Sequence, residues 1–126
     1  MDDRKAKSFL ESARLATNSL FSVATTDRAV RRTVVATFAL VPVVVILPVS
    51  RLEHLILVLS LMLVVFAETV NSAIESTVDR VSLDFHPLSK LAKDTAAAAV
   101  VVAVLMAGLS WTVIAGPVVW SLVAGG

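Results

Sequence analysis

Three carboxylates and one amide recur within a short stretch of this sequence, at a spacing typical of one helix face. The four residues, at offsets of 0, 3, 7 and 11, are Glu68, Asn71, Glu75 and Asp79. At about 100° per residue, these positions fall at roughly 0°, 300°, 340° and 20° around a helix axis. Because carboxylates on one stripe repel one another and lose hydration, we expect cations, hydrogen-bond donors or solvent to meet them.

Further ionisable residues stand at the edges of the hydrophobic segments. Lys93 and Asp94 precede the last of these segments, and Asp27 precedes the first. Oxygen ligands suit a hard cation such as Mg²⁺, which prefers one or two protein carboxylates together with phosphate oxygens and so indicates a metal-nucleotide. A lysine beside such a site can serve as a point charge for a phosphate, and a deeper carboxylate can take the proton from a lipid hydroxyl. The pattern favours phosphoryl transfer at a membrane surface.

Two other interpretations of the acidic stripe remain open on spacing alone. The acids could pair with basic side chains such as Arg80, Lys90 and Lys93 and hold a helix bundle together, as in a noncatalytic assembly subunit. Alternatively, Glu68 or Glu75 could be the proton and substrate site of a small proton-coupled multidrug transporter, because an ionisable residue within a span is by default a functional one. Such a transporter would move a cationic dye and ignore ATP.

The composition places these residues in a membrane protein. Of the 126 residues, 57% are hydrophobic, and the mean hydropathy of +0.87 is too high for an ordinary soluble domain of this size. A net charge of +1 without a basic stripe argues against a nucleic-acid-binding protein. With no cysteine and only two histidines, the chain offers little for a transition-metal site. None of its four glycines stands in the G-x-x-x-x-G-K context of a P-loop.

Four helical segments must position the polar residues. Apolar residues recur at three- and four-residue steps over 4–27, which predicts an amphipathic helix on the membrane surface or against the bundle. Longer hydrophobic runs then predict three membrane spans, at about 31–49, 54–79 and 93–122. The predicted fold is therefore an all-α membrane protein, a single domain over 1–126.

The connections between the spans carry their own signals. Pro48 is expected to stop the first span, and 50–54 to form a short connection on the outer side. The segment 80–93 is predicted to be the one charged loop of any length. Placing this loop and the amino terminus on the same side gathers ten of the eleven basic residues there and leaves Arg51 alone. That side is predicted to be the cytoplasm, with the carboxy terminus outside.

A specific motif carries a resemblance to a known family. The segment ETVNSAIESTVD at 68–79, followed by HPL at 86–88 and AKD at 92–94, resembles the signature E-x-x-N-x-A-I-E-x-x-V-D…H-x-L…A-K-D. This signature is that of the small integral-membrane lipid kinases of bacteria, which include diacylglycerol kinase and undecaprenol kinase. The length, the amphipathic helix and the three-span layout agree with that family over nearly the whole chain.

The resemblance implies a homotrimer in the bacterial cytoplasmic (inner) membrane that transfers the γ-phosphoryl group of ATP to a lipid alcohol, with active sites between subunits. By matched position, Glu68 would be the general base near the lipid hydroxyl, and Asp27 and Glu75 would hold Mg²⁺. The ATP and phosphate site would comprise Asp27, Asn71, Glu75, Asp79, Lys93 and Asp94.

Departures from the family pattern bear on the metal site and the substrate. Asp27 is one methylene shorter than the usual glutamate, and Thr33 stands where some members have an acid. The stretch TAAAAV at 95–100 replaces a glycine-serine pair frequent in diacylglycerol kinases. NSAIE at 71–75 resembles the diacylglycerol branch, and HPL at 86–88 resembles the undecaprenol branch. We expect diacylglycerol, converted to phosphatidic acid, to be the substrate, with undecaprenol as the alternative.

Overall fold

The computed structural model describes residues 3–125, with side chains from Ser8 onward, and the basic side chains of Arg4, Lys5 and Lys7 lie outside that range. Within it the chain forms four helices, which are α1 (Asp3–Thr26), α2 (Arg28–Ile46), α3 (Arg51–Val81) and α4 (Pro87–Ala124). The last three are long and apolar enough to cross a membrane. The predicted fold class, an all-α membrane protein with three apolar helices after an amphipathic one, is confirmed.

A single residue separates α1 from α2. Asp27, predicted to close the amphipathic helix, instead has an extended backbone and caps the start of α2. An aspartate suits this position because its carboxylate accepts hydrogen bonds from the free N–H groups of the first helical turn. At the other end, α2 finishes at Ile46, and Leu47 is extended because the ring of Pro48 disfavours helical geometry in the residue before it.

The start of α3 differs from the expected outer connection over 50–54. Ser50 and Glu53 form a capping box, in which the Glu53 backbone N–H donates to Ser50 Oγ at 3.3 Å and the Ser50 N–H donates to Glu53 Oε2 at 2.7 Å. Reciprocal capping satisfies two otherwise free donors. Residues from Arg51 onward are therefore the first turn of the helix. As expected, α3 then continues without a break through Glu68 to Val81.

Most of the predicted charged loop over 80–93 is helical, which corrects that expectation. His86 is the N-cap of α4, and its Nδ1 accepts from the Leu88 backbone N–H at 3.2 Å. Pro87 follows at the first helical position, where its fixed φ and missing N–H favour helix initiation. The connection between α3 and α4 shrinks to 82–86, and its brevity makes the two helices antiparallel neighbours.

Small side chains allow α3 and α4 to pack closely. The buried residues of α4 are Ala96, Ala103, Ala107 and Ala115. Because lipid is as apolar as a helix surface, association in a membrane depends on such close packing rather than on removal of apolar area from water. α2 contributes the fully buried Val30 and Val44, whereas Phe38 and Phe66 face outward. α3 therefore packs against both α2 and α4.

Candidate active site

Asp27 uses both carboxylate oxygens within the chain. Its Oδ1 accepts from the backbone N–H groups of Ala29 at 2.8 Å and Val30 at 3.2 Å, which is the α2 cap. Its Oδ2 accepts from the hydroxyl of Ser72 on α3 at 2.7 Å. The Ser72 hydrogen bond is the main influence that lowers the pKa of Asp27 below its usual value; burial opposes it, and the two backbone donors add to it. Asp27 is therefore held as an anion between two helices.

Asn71 and Glu75 contact each other on one face of α3. Asn71 Nδ2 donates to Glu75 Oε1 at 3.0 Å, and both side chains are half-buried. The other amide atom, Asn71 Oδ1, is buried and has no hydrogen-bond partner among the described residues. A buried acceptor without a donor is destabilising, so such an atom marks a place where a ligand or a neighbouring molecule can supply one.

Glu68 lies about 10 Å along the helix axis from Glu75, at 1.5 Å per residue. Its half-buried carboxylate makes no hydrogen bond or ion pair within the described part of the chain. It nevertheless lies close enough to Asp27 and Glu75 to experience the negative charge of both. The structure thus brings the three predicted acids together, from the cap of α2 and one face of α3.

The remaining predicted residues are paired with one another or with a neighbour. Lys93 Nζ on α4 donates to Asp79 Oδ1 on α3 at 2.5 Å, with the two side chains 36% and 45% exposed. Asp94 forms an ion pair with Lys90 one turn earlier in α4. These are the two ion pairs between described side chains. The four side chains of these pairs line a cleft of about 400 Å³, and His86 lines the same cleft.

The donor set fits a metal ion that arrives with a nucleotide. Among the described residues, no three His, Cys, Asp or Glu side chains are grouped closely enough to hold a metal ion by themselves. Asp27 and Glu75 both lie near Glu68. Mg²⁺ needs only one or two protein carboxylates when phosphate oxygens and water complete its shell. The unpartnered Asn71 Oδ1 beside Glu75 adds a further oxygen acceptor.

Ser72 was missed by reasoning from the sequence, although a signal for it existed. Four residues after Glu68, it falls at roughly 40° on the helical wheel, at the edge of the acidic stripe. Serine does not ionise, so it does not belong to the acidic pattern that marks this face. Ser50 and Glu53 were also missed as a cap, although S-x-x-E before an apolar run is a known start signal.

These features define a class of protein: a polytopic helical membrane protein with an acid-rich site where its helices meet the polar phase. Residues 14–115 match the family model described as prokaryotic diacylglycerol kinase. The diacylglycerol kinase of Pseudomonas aeruginosa is 44% identical over 88 residues, covering 70% of this chain and 72% of the relative. That of Escherichia coli is 38% identical over 88 residues, again 70% of this chain and 72% of the relative.

The diacylglycerol kinase of Haemophilus influenzae is 36% identical over 72 residues, which cover 57% of this chain and 61% of the relative. The present chain therefore belongs to the prokaryotic diacylglycerol kinase family. The family predicted from the motif is confirmed, and so is the predicted class of enzyme, a lipid kinase of the membrane.

Proposed function

We propose that this protein transfers the γ-phosphoryl group of ATP to the free hydroxyl of diacylglycerol and releases phosphatidic acid and ADP. The observation that carries the proposal is that Asp27, at the start of α2, is held by the Ser72 hydroxyl against the part of α3 that carries Glu68 and Glu75. Carboxylates at that level can meet a lipid hydroxyl from the bilayer and a phosphate from the cytoplasm. The name shared by the relatives in Pseudomonas aeruginosa and Escherichia coli supports diacylglycerol as the acceptor.

Glu68 is the general base in this proposal. It has no partner among the described residues, so its oxygens are available to accept a proton. As the lipid oxygen forms its bond to the γ-phosphorus and the bond to the β-phosphate oxygen breaks, Glu68 takes the hydroxyl proton.

Asp27 and Glu75 are the residues we assign to Mg²⁺, which when bound offsets the charge of the phosphates. Asn71 orients Glu75 through the hydrogen bond from Nδ2 to Oε1. Lys93 is assigned to a phosphate, together with Asp79 and Asp94 in the same cleft. Because the Asp79–Lys93 pair is substantially exposed, exchange of its carboxylate for a phosphate oxygen costs little.

Assembly and orientation complete the proposal. We place the amino terminus and the turn at 82–86 in the cytoplasm and the carboxy terminus outside, in the inner membrane of a bacterium. A homotrimer with sites between subunits is consistent with two features of the isolated chain. Asn71 Oδ1 is buried without a donor, and apolar side chains of α1 such as Phe9 and Phe21 remain exposed.

The test uses purified protein in detergent, incubated with labelled ATP, Mg²⁺ and either diacylglycerol or undecaprenol. We expect labelled phosphatidic acid, and a far lower rate with undecaprenol. A higher rate with undecaprenol would move the assignment to that substrate. Absence of any labelled lipid, combined with uptake of a cationic dye into proteoliposomes without ATP, would replace the kinase by a proton-coupled transporter.

A further inference from the structure

The side chain of Ser72 departs from its neighbours on α3. Hydroxyl groups inside helices usually donate to a carbonyl of the preceding turn. Ser60, Thr69 and Thr77 all do so on this helix, and the Ser60 hydroxyl donates to the Leu57 carbonyl oxygen at 2.7 Å. The buried Ser72 hydroxyl instead crosses to Asp27 Oδ2, 45 residues away in sequence. The bond is therefore a tertiary contact rather than a property of the helix.

This contact fixes the orientation of the Asp27 carboxylate. Two backbone N–H groups, from Ala29 and Val30, occupy Oδ1, and the Ser72 hydroxyl occupies one acceptor position of Oδ2. An ionised carboxylate has about four acceptor positions in all. Three are filled from two different helices, which prevents rotation of the group. The fourth position belongs to Oδ2, the oxygen that Ser72 contacts.

We propose that Ser72 is a positioning residue that holds Asp27 Oδ2 with its last acceptor position directed to the metal-nucleotide. This inference rests on the proposed function, in which Asp27 is a metal ligand. It also gives a physical account of the shorter side chain. With one methylene less than the family glutamate, Asp27 is bound tightly to the start of α2, and the hydroxyl of Ser72 defines which oxygen stays available.

Steady-state kinetics give the first test. We expect Ser72→Ala to raise the half-saturating concentration of Mg²⁺ and ATP about 10-fold with little change in kcat, since partners that orient metal ligands typically contribute 10–100-fold. Ser72→Thr keeps the hydroxyl and should restore most of the affinity. Ser60→Ala is the matched control, because it removes an equally buried hydroxyl that bonds only within α3. It should leave both constants unchanged.

The second test measures binding without turnover. Mn²⁺ with a non-hydrolysable ATP analogue, followed by electron paramagnetic resonance in the absence of lipid, reports the affinity directly. We expect Asp27→Asn and Ser72→Ala each to weaken Mn²⁺ binding. The double variant should be little worse than Asp27→Asn alone, because the two residues act through one contact.

The outcomes separate the inference from the function on which it rests. If Asp27→Asn leaves Mn²⁺ binding unchanged while the protein still phosphorylates lipid, the assignment of Asp27 to the metal is wrong. If Asp27→Asn weakens binding and Ser72→Ala does not, the positioning role alone is wrong. A Ser72→Ala protein that loses thermal stability but binds Mn²⁺ normally would make the hydrogen bond a purely structural link.

Discussion

Two polar links join the helices at the site end of the bundle, and they differ in burial. The hydrogen bond from Ser72 to Asp27 has a buried donor and a half-buried acceptor, whereas the Asp79–Lys93 ion pair is substantially exposed. A buried polar contact resists exchange because a broken partner is left without water. An exposed ion pair contributes about 0–1 kcal/mol and exchanges readily. The first link suits a fixed ligand and the second suits a residue that must accept an incoming phosphate.

The difference also explains how one chain can hold acids of unlike roles. Asp27 is stabilised as an anion by donors from two helices, whereas Asp79 contacts one lysine, Lys93 on α4. Glu68 lies near Asp27 but takes no part in the hydrogen bond from Ser72, which leaves its carboxylate available for a proton. The following changes test this division, beginning with the largest expected effect.

Glu68→Gln should reduce turnover by about 10²–10⁴-fold, because it removes the proposed base with little change in the size of the side chain. Binding of Mn²⁺ with a non-hydrolysable ATP analogue should remain close to that of the unmodified protein. Single-turnover phosphorylation of diacylglycerol measures the first quantity and paramagnetic resonance the second. An undiminished turnover would remove Glu68 from the chemistry.

Asp27→Ala removes both the hydrogen bond from Ser72 and the cap of α2. We expect unfolding in detergent to become easier by about 2–4 kcal/mol, combining the loss of a cap with an unpartnered Ser72 hydroxyl. Ser50→Ala is the matched control, since it removes the cap at the start of α3 without touching a cross-helix bond. Its effect should be about 1 kcal/mol. Equal losses in the two variants would show that the Ser72 contact adds nothing to stability.

Glu75→Gln should weaken binding of the metal-nucleotide about 10-fold, in the range found when residues around a bound metal are altered. Since the proposed base, Glu68, is unchanged in this variant, raised Mg²⁺ should restore part of the activity. A titration of activity against Mg²⁺ concentration, with the unmodified protein in parallel, measures the shift. An unaltered Mg²⁺ dependence would leave Glu75 with no ligand role.

Asp79→Ala should have the smallest effect on stability, about 1 kcal/mol or less, because it removes only the exposed pair. Added salt should diminish even this difference, since screening acts on exposed charges. The loss from Asp27→Ala should persist in the same salt. Thermal unfolding in low and high salt compares the two, and an Asp79→Ala loss as large as that of Asp27→Ala would overturn the distinction between the links.

Prediction from the sequence succeeded where the controlling physics was local. The helical period placed Glu68 and Glu75 on one face, and the continuous apolar pattern carried α3 past Glu68 to the polar end. It was less successful at helix starts. His86 and Ser50 both begin helices that had been expected to start later, because a cap depends on a few hydrogen bonds rather than on a hydrophobic run.

The roles assigned to individual site residues stay predictions, but their placement is now visible. Glu68 lies near both Asp27 and Glu75, as the sequence pattern suggested. Lys93 and Asp94 each form an ion pair at the lining of the cleft beside α3 and α4. The Lys93–Asp79 pair depends on the distance between α3 and α4, about which helical spacing carries no information.

By itself, the sequence determined that this chain is a three-span membrane protein with an acidic stripe, because hydrophobic length and helical period are properties of contiguous residues. Only the tertiary structure decided that Asp27 caps α2 and that Ser72 reaches it from α3. The two residues stand 45 positions apart and share no periodicity. Their contact exists because α2 and α3 pack side by side, which places the buried Ser72 hydroxyl opposite the half-buried carboxylate at the start of α2.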